Sequence, residues 1–176
     1  MKGAAVVGTF RRVDLYLMRH GEAGDSPRGD PFRPLTARGR VQASTSAAGL
    51  HRRGARPSSL WHSPYVRAAE TAALVGQVLG VSPQQDDRFV PDADPDVAAR
   101  ALWEAAAAAG PRARRGGGGL LVVAHLPILP GIVHALGAGR AQFSTAAVVH
   151  VVLADGAAVV AGAWTSEQLG LAEHTP

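Results

Sequence analysis

In LYLMRHGEAG (residues 15–24) an apolar run stops at an arginine and a histidine standing side by side, Arg19 and His20, followed by Gly21 and Glu22. Two later stretches end in the same way. SSLWHSPYVR (58–67) carries His62 and Ser63, with Arg67 four residues beyond Ser63, and LLVVAHLP (120–127) carries His125. Arginine forks hold phosphate oxygens in bidentate fashion and stay charged. A neutral imidazole nitrogen is a competent nucleophile toward phosphorus. A protonated imidazole can donate to charge developing on phosphoryl oxygens. Two arginines and two histidines brought to one point would therefore make a phosphate pocket with a nucleophile in its floor, and arginine charge makes a metal unnecessary there.

The elements around these residues must bring them together. Val13 to Met18 reads as a buried strand. Residues 21–35, rich in proline, glycine and aspartate, read as a loop. Thr36 is placed to cap a helix over about Ala37 to Arg53, ended by Gly54 and Pro57. Residues 58–62 form a second strand. Ser63-Pro64 reads as an N-cap followed by proline at the first helical position, opening a helix that Gly80 closes. QQDDRFV (84–90) reads as a weaker, exposed strand. PDADPDVAARALWEAAAAAG (91–110) reads as a loop and an alanine-rich helix, and PRARRGGGG (111–119) as a flexible surface loop lacking the residues of a phosphate loop. Residues 120–126 carry the strongest strand signal, and a helix from Pro127 to about Leu136 follows. Residues 145–164 read as two strands around an Asp155-Gly156 turn.

Strands alternating with helices predict an α/β fold, a three-layer sandwich with a mostly parallel central sheet flanked by helices and a closing C-terminal hairpin. In such a sheet ligands bind beyond the carboxyl ends of strands, beside helix N-termini that favour anions. That is where Arg19, His20, His62, Ser63, Arg67 and His125 fall. The 176 residues suit a single domain spanning 1–176, with a core over about 13–165 and tails at 1–11 and 166–176.

Composition narrows the function classes. Hydrophobic residues make up 47%, so the chain is globular. No apolar run reaches the roughly 18 residues of a bilayer span, and residues 1–18 lack a signal-peptide pattern, so no membrane role and a cytoplasmic location are expected. With no cysteine, disulfides, thiolate nucleophiles and thiolate metal sites are excluded. The net charge is +4, but the arginines are scattered and aromatics are only 5%, so nucleic-acid binding is not expected. The seven histidines lack zinc-site spacing. Asp92, Asp94 and Asp96 lack the glycine and distal glutamate of a calcium loop and suit turn and cap contacts. Neither metal nor cofactor is expected. His51 reads as a solvated helix end, His134 and His150 as structural histidines in apolar stretches, and His174 as tail. His62 could line the pocket or point away from it.

LMRHGEA, RPLTARG, SPYVRAAETA and VVAHLP, in this order, resemble the histidine phosphatase superfamily, the phosphoglycerate-mutase-like branch. The short length and RPLT after the first motif look most like the SixA-type phosphohistidine phosphatases. The resemblance covers about residues 13–165. It implies that His20 accepts the phosphoryl group, that Arg19 and Arg67 clamp it, and that His125 is a cationic second histidine stabilising the transition state. Arg33 of RPLT would add charge at the pocket mouth, and Ser63 would be a helix cap first and a pocket neighbour second. Larger members of the superfamily use a carboxylate to protonate the leaving group. Here no segment clearly supplies it; Glu22, Asp25, Asp92 and Asp94 are candidates by loop position alone.

A missing acid fits a phosphohistidine substrate, since imidazole leaves far more readily than an alkoxide. The expectation is a metal-independent phosphatase that forms a phosphohistidine enzyme and acts on a histidine-phosphorylated signalling protein. The alternative is a phosphomonoesterase for a small metabolite or nucleotide, using a loop carboxylate as acid. A phosphoprotein-binding module without turnover is a third class, and the presence of both histidines and both arginines argues against it. A mutase would need an insertion to hold a bisphosphate, and none is visible.

Overall fold

A computed structural model describes residues 12–108 and 118–171. Six strands form one sheet: β1 (Val13–Arg19), β2 (Pro57–His62), β3 (Pro83–Gln85), β4 (Gly119–Ala124), β5 (Val148–Ala154) and β6 (Ala157–Trp164), in the order β3-β2-β4-β1-β5-β6. The pairs β3–β2, β2–β4 and β4–β1 are parallel, while β5 and β6 continue the sheet antiparallel. Among the described residues five helices pack against it: α1 (Ala37–Arg52), α2 (Val66–Leu79), α3 (Pro95–Ala108), α4 (Ile128–Ala135) and α5 (Ser166–Gly170).

The two-residue period of a strand divides the core. On one face Leu15 and Leu17 of β1 and Leu120, Val122 and Ala124 of β4 pack with Ala98 and Leu102 of α3 and Ile128 and Ile132 of α4. On the other, Tyr16, Met18, Leu121 and Val123 pack with Leu50 of α1, Ala72 and Val75 of α2 and Leu169 of α5. β1 and β4 are covered on both faces, which is why they read in sequence as near-continuous apolar runs. The expected three-layer α/β sandwich is observed. Asp155 and Gly156 take φ of 48° and 79°, the double positive-φ turn that an Asp-Gly pair favours in a hairpin.

Several local expectations change. α2 begins at Val66 with Tyr65 as N-cap, and the Ser63 hydroxyl accepts from the Tyr65 amide at 3.3 Å, so Ser63 makes a turn before the helix instead of capping it. The strand expected over 84–90 is only Pro83–Gln85. Asp86 then caps a 3-10 turn that folds Phe89 fully into the core, so core burial wins over extension. The tail expected from 166 opens with α5, whose Thr165–Gln168 capping box and buried Leu169 dock it on α1. His134 is exposed, whereas His150 is satisfied as expected: it donates to Asp14 at 2.8 Å and stacks on Tyr16. The tail at 1–11, His174, and all of the 111–119 loop except Gly118 and Gly119, the latter being the first residue of β4, lie outside the described residues.

Two glycines set how closely α1 approaches the end of β1. A Cβ on Gly21 would collide with the Gly39 carbonyl oxygen, and a Cβ on Gly39 with the backbone of Glu22. Gly39→Ala is therefore expected to destabilise the fold by about 1–3 kcal/mol through overpacking. Urea unfolding checks this, and an unchanged midpoint would contradict it.

Candidate active site

Parallel register places the site. Arg19 is opposite Ala124 and His62 opposite Val123, so the chain leaves β1, β4 and β2 side by side at one edge. The His20 amide still bonds Ala124 O at 3.1 Å, and His20 and His125 emerge as neighbours with ring centroids 4.9 Å apart. α2 brings Arg67 onto the same point from the other side. A cavity of about 270 Å³ opens there, lined by Arg19, His20, Glu22, Ala23, Arg33, Arg67, His125, Leu126 and Thr145. A larger depression of about 600 Å³, bordered by Pro130, His134 and Arg140, contains none of the four converging residues. The chemistry therefore points to the smaller one.

His20 is 8% exposed, and its Nδ1 lies 2.7 Å from the Gly21 carbonyl oxygen. A carbonyl only accepts, so Nδ1 carries the proton and Nε2 presents a lone pair. Arg67 Nε donates to that Nε2 at 3.2 Å. The turn is buttressed from α2: the Gly21 amide donates to the Thr71 hydroxyl at 3.1 Å, and that hydroxyl donates to Arg67 O at 2.7 Å. Burial, above all, lowers the His20 pKa to about 4, with Arg67, Arg19 and Arg33 adding repulsion against the Gly21 carbonyl's opposing pull.

Arg67 is buried and held at three nitrogens. Besides His20, its Nη1 donates to Asp30 O at 2.6 Å and its Nη2 to Asp30 Oδ2 at 3.0 Å. Arg19 Nη1 donates to Phe143 O at 3.0 Å, and burial and the Arg67 charge lower the Arg19 pKa. His125 is 1% exposed, and among the described residues no partner reaches either ring nitrogen. Burial, the neighbouring His20 and Arg67 bring its pKa down to about 3, against the opposing pull of Asp30. Burial beside arginines thus favours a neutral His125 among the protein's own groups.

Arg33 is in the cavity wall, yet its guanidinium is engaged by Gly24 O at 2.8 Å and Asp30 Oδ1 at 3.1 Å. Of the four carboxylates expected as possible acids, only Glu22 lines the cavity. Its oxygens are taken by the Thr36 hydroxyl at 2.8 Å and Arg38 at 3.4 Å. Asp25, Asp92 and Asp94 are exposed and outside the cavity wall, and Asp94 accepts from the Asp96 amide at 2.8 Å, a cap contact. His62 turns its Nδ1 to Ser63 O at 2.8 Å and does not line the cavity. Sequence reading missed Asp30; its spacing of three from Arg33 was the only signal. It also missed Glu70, which accepts from the Leu35 amide at 2.8 Å and from Arg40 at 3.1 Å and so pins the RPLT loop. No group of histidines and carboxylates suited to a metal occurs among the described residues.

Both histidines are neutral when folded but titrate normally when unfolded. The unfolded chain therefore binds more protons below the ordinary histidine pKa, and stability rises with pH across that window. Melting temperature is expected to fall as pH drops from about 6.5 to 4, less steeply in His125→Asn than in the wild type. Equal slopes would contradict the burial of a neutral His125.

Residues 15–90 match the model of the histidine phosphatase superfamily (branch 1). The chain is 28% identical over 146 residues to phosphohistidine phosphatase SixA of Escherichia coli (strain K12), covering 80% of this chain and 86% of that one. It superposes on the protein histidine phosphatase SixA complexed with tungstate with a TM-score of 0.78 at 25% identity, over 89% of this chain and 99% of that one. Phosphoglycerate mutase from Bacillus anthracis str. Sterne shares the fold, with a TM-score of 0.64 at 18% identity over 93% and 97% of the two chains. With the motifs of strands β1, β2 and β4 gathered at one sheet edge, and with likeness to SixA running through most of both chains, the protein is similar to the histidine phosphatase superfamily, and these likenesses indicate a phosphatase.

Proposed function

We propose that the protein dephosphorylates phosphohistidine in a phosphotransfer protein of a signalling chain, through a phosphoryl group carried on His20. The observation that carries this reading is the contact of His20 Nδ1 with the Gly21 carbonyl oxygen at 2.7 Å, which leaves Nε2 as the nucleophile. With Nδ1–H bound to Gly21 O, the lone pair of Nε2 faces Arg67 Nε, beside the His125 ring. In the first step Arg67 Nε passes its hydrogen bond from His20 Nε2 to a phosphoryl oxygen, the freed Nε2 lone pair attacks phosphorus, the bond from phosphorus to the substrate imidazole nitrogen breaks, and its electron pair leaves with that imidazole. The Gly21 carbonyl stabilises the positive charge that develops on the His20 ring. Arg19 and Arg67 hold the phosphoryl oxygens. His125, neutral on its own, is pushed toward its protonated form by a phosphoryl dianion beside it and can then donate to the developing charge. In the second step water attacks phosphorus, the P–Nε2 bond breaks, and phosphate and His20 are released.

Two observations support phosphohistidine over an alkyl phosphate. Both Glu22 oxygens are already engaged, and among the described residues no other carboxylate lines the cavity to protonate an alkoxide. The relative covering most of the chain is itself named a phosphohistidine phosphatase. The second reading is a phosphomonoesterase for a small metabolite or nucleotide with Glu22 as acid, and the place of Glu22 in the cavity wall is what favours it.

The test offers the purified protein a histidine-phosphorylated phosphotransfer domain and, separately, p-nitrophenyl phosphate, both with chelator and with His20→Ala as control. Rapid loss of phosphohistidine with little nitrophenol release is expected. Good nitrophenol release without phosphohistidine loss would move the assignment to the second reading.

A further inference from the structure

We propose that Asp30 is a positioning residue for the phosphoryl clamp, holding the Arg67 guanidinium in line with His20 and competing with the phosphoryl group for it. The inference rests on the reading that the pocket holds a phosphoryl group, and not on which leaving group departs.

One carboxylate here serves two arginines of the cavity wall. Oδ2 takes Arg67 Nη2 at 3.0 Å and Oδ1 takes Arg33 Nη1 at 3.1 Å, while the backbone oxygen of the same residue takes Arg67 Nη1 at 2.6 Å. With Nε on His20 Nε2, three contacts fix the plane of the Arg67 guanidinium. A guanidinium has five N–H groups, so two remain to meet a phosphoryl oxygen. Asp30 is placed for this by the 3-10 turn it begins, Asp30–Phe32, which follows Gly29 at φ 100°, a conformation that glycine adopts without strain. The Asp30 side chain is 53% exposed against 6% for Arg67. An ion pair so exposed on one side adds little to folding stability, so its consequence lies in orientation and local charge.

Two effects of opposite sign follow. Without the carboxylate, Arg67 can swing, and the transition state loses alignment with His20 Nε2. The same loss frees Nη2 and removes a negative charge from the rim, so a phosphate anion binds the resting pocket more tightly. Asp30 also faces His125 electrostatically and favours its protonation, against Arg19, Arg67 and His20, which disfavour it. Removing the charge should therefore shift the His125 titration further down.

The test uses the full chain as wild type, Asp30→Asn and Asp30→Ala, with Asp155→Asn in the distant hairpin turn as a charge control. Turnover of whichever substrate the wild type accepts, the histidine-phosphorylated domain or p-nitrophenyl phosphate, inhibition by inorganic phosphate, His125 titration by NMR and melting temperature are read for each. The expected result is a kcat about 10- to 100-fold lower in the Asp30 variants. Inhibition by inorganic phosphate should be about two- to fivefold tighter. His125 should titrate lower, the melting temperature should stay close to wild type, and Asp155→Asn should behave as wild type. Unchanged kcat, or kcat and phosphate affinity falling together with the melting temperature, would overturn the assignment. If the wild-type protein does not bind inorganic phosphate, the phosphoryl pocket itself fails and Asp30 with it. If the wild type binds phosphate and the variants match it, only the assignment of Asp30 fails.

Discussion

His20→Ala is expected to lower kcat by roughly four orders of magnitude or more, on any phosphorylated substrate the protein accepts. The proposed route passes through a P–N bond at Nε2, and alanine has no atom to form it. The neighbouring imidazole cannot substitute. Among the described residues the His125 ring nitrogens have no carbonyl partner to fix a tautomer, and His125 is 1% exposed. A second measurement separates the two histidines. Trapping with a phosphohistidine substrate, read by 31P NMR, should show a phosphorylated enzyme for wild type and a slowly formed one for His125→Ala. None should appear for His20→Ala. A phosphoenzyme in His20→Ala would sink the assignment of the nucleophile.

Arg67→Ala carries the second large effect, an expected loss of about 10²–10³ in kcat/KM, the scale of removing one preorganised donor from a developing charge. The geometry makes this more than the loss of one positive charge. Arg67 is 5% exposed and gives three separate nitrogens to His20 Nε2, Asp30 O and Asp30 Oδ2. Lysine, a compact point charge on a flexible stem, cannot serve these acceptors from one planar fork, so Arg67→Lys should recover little. The same variants test the electrostatics. The Arg67 charge is one cause of the low pKa of His20 and of His125, so both should titrate higher in Arg67→Ala. Near-wild-type activity in Arg67→Lys would show that charge alone matters there and that the fork does not.

Asp30 links these two effects to the loop between β1 and α1. RPLT reads in sequence as extra positive charge at the pocket mouth, through Arg33. In the fold Arg33 is a strut: it ties Gly24 O and Asp30 together, and Asp30 ties the loop to Arg67. Glu70 holds the far end of the same loop through the Leu35 amide. The loop is thus fastened to α2 at both ends, by Arg67 and by Glu70 one helical turn further on.

The amino-acid sequence by itself determined the sheet centre, the helix over Ala37–Arg52, the hairpin turn and the identity of Arg19, His20, Arg67 and His125 as one constellation. The physical reason is that each of these signals is local. Strands buried on both faces must be apolar throughout, Thr36 caps through its own hydroxyl to the Gly39 amide at 3.0 Å, and Asp-Gly takes positive φ at small cost. Polar residues that interrupt such strands at their carboxyl ends announce a site before any neighbour is known. Only the tertiary structure decided the rest, because the deciding partners are far apart in the chain. Residues 86–90 abandon extension because Phe89 finds the core, and residues 166–170 form a helix because Leu169 meets α1. Glu22 reads as a free loop carboxylate until Thr36 and Arg38 close on it. The charge of His125 depends on burial and on His20 and Arg67, groups that no reading of residues 120–127 could place beside it. The role of Asp30 rests on a contact with Arg67 across 37 positions, a distance over which sequence pattern carries no information and folding alone brings the two groups together.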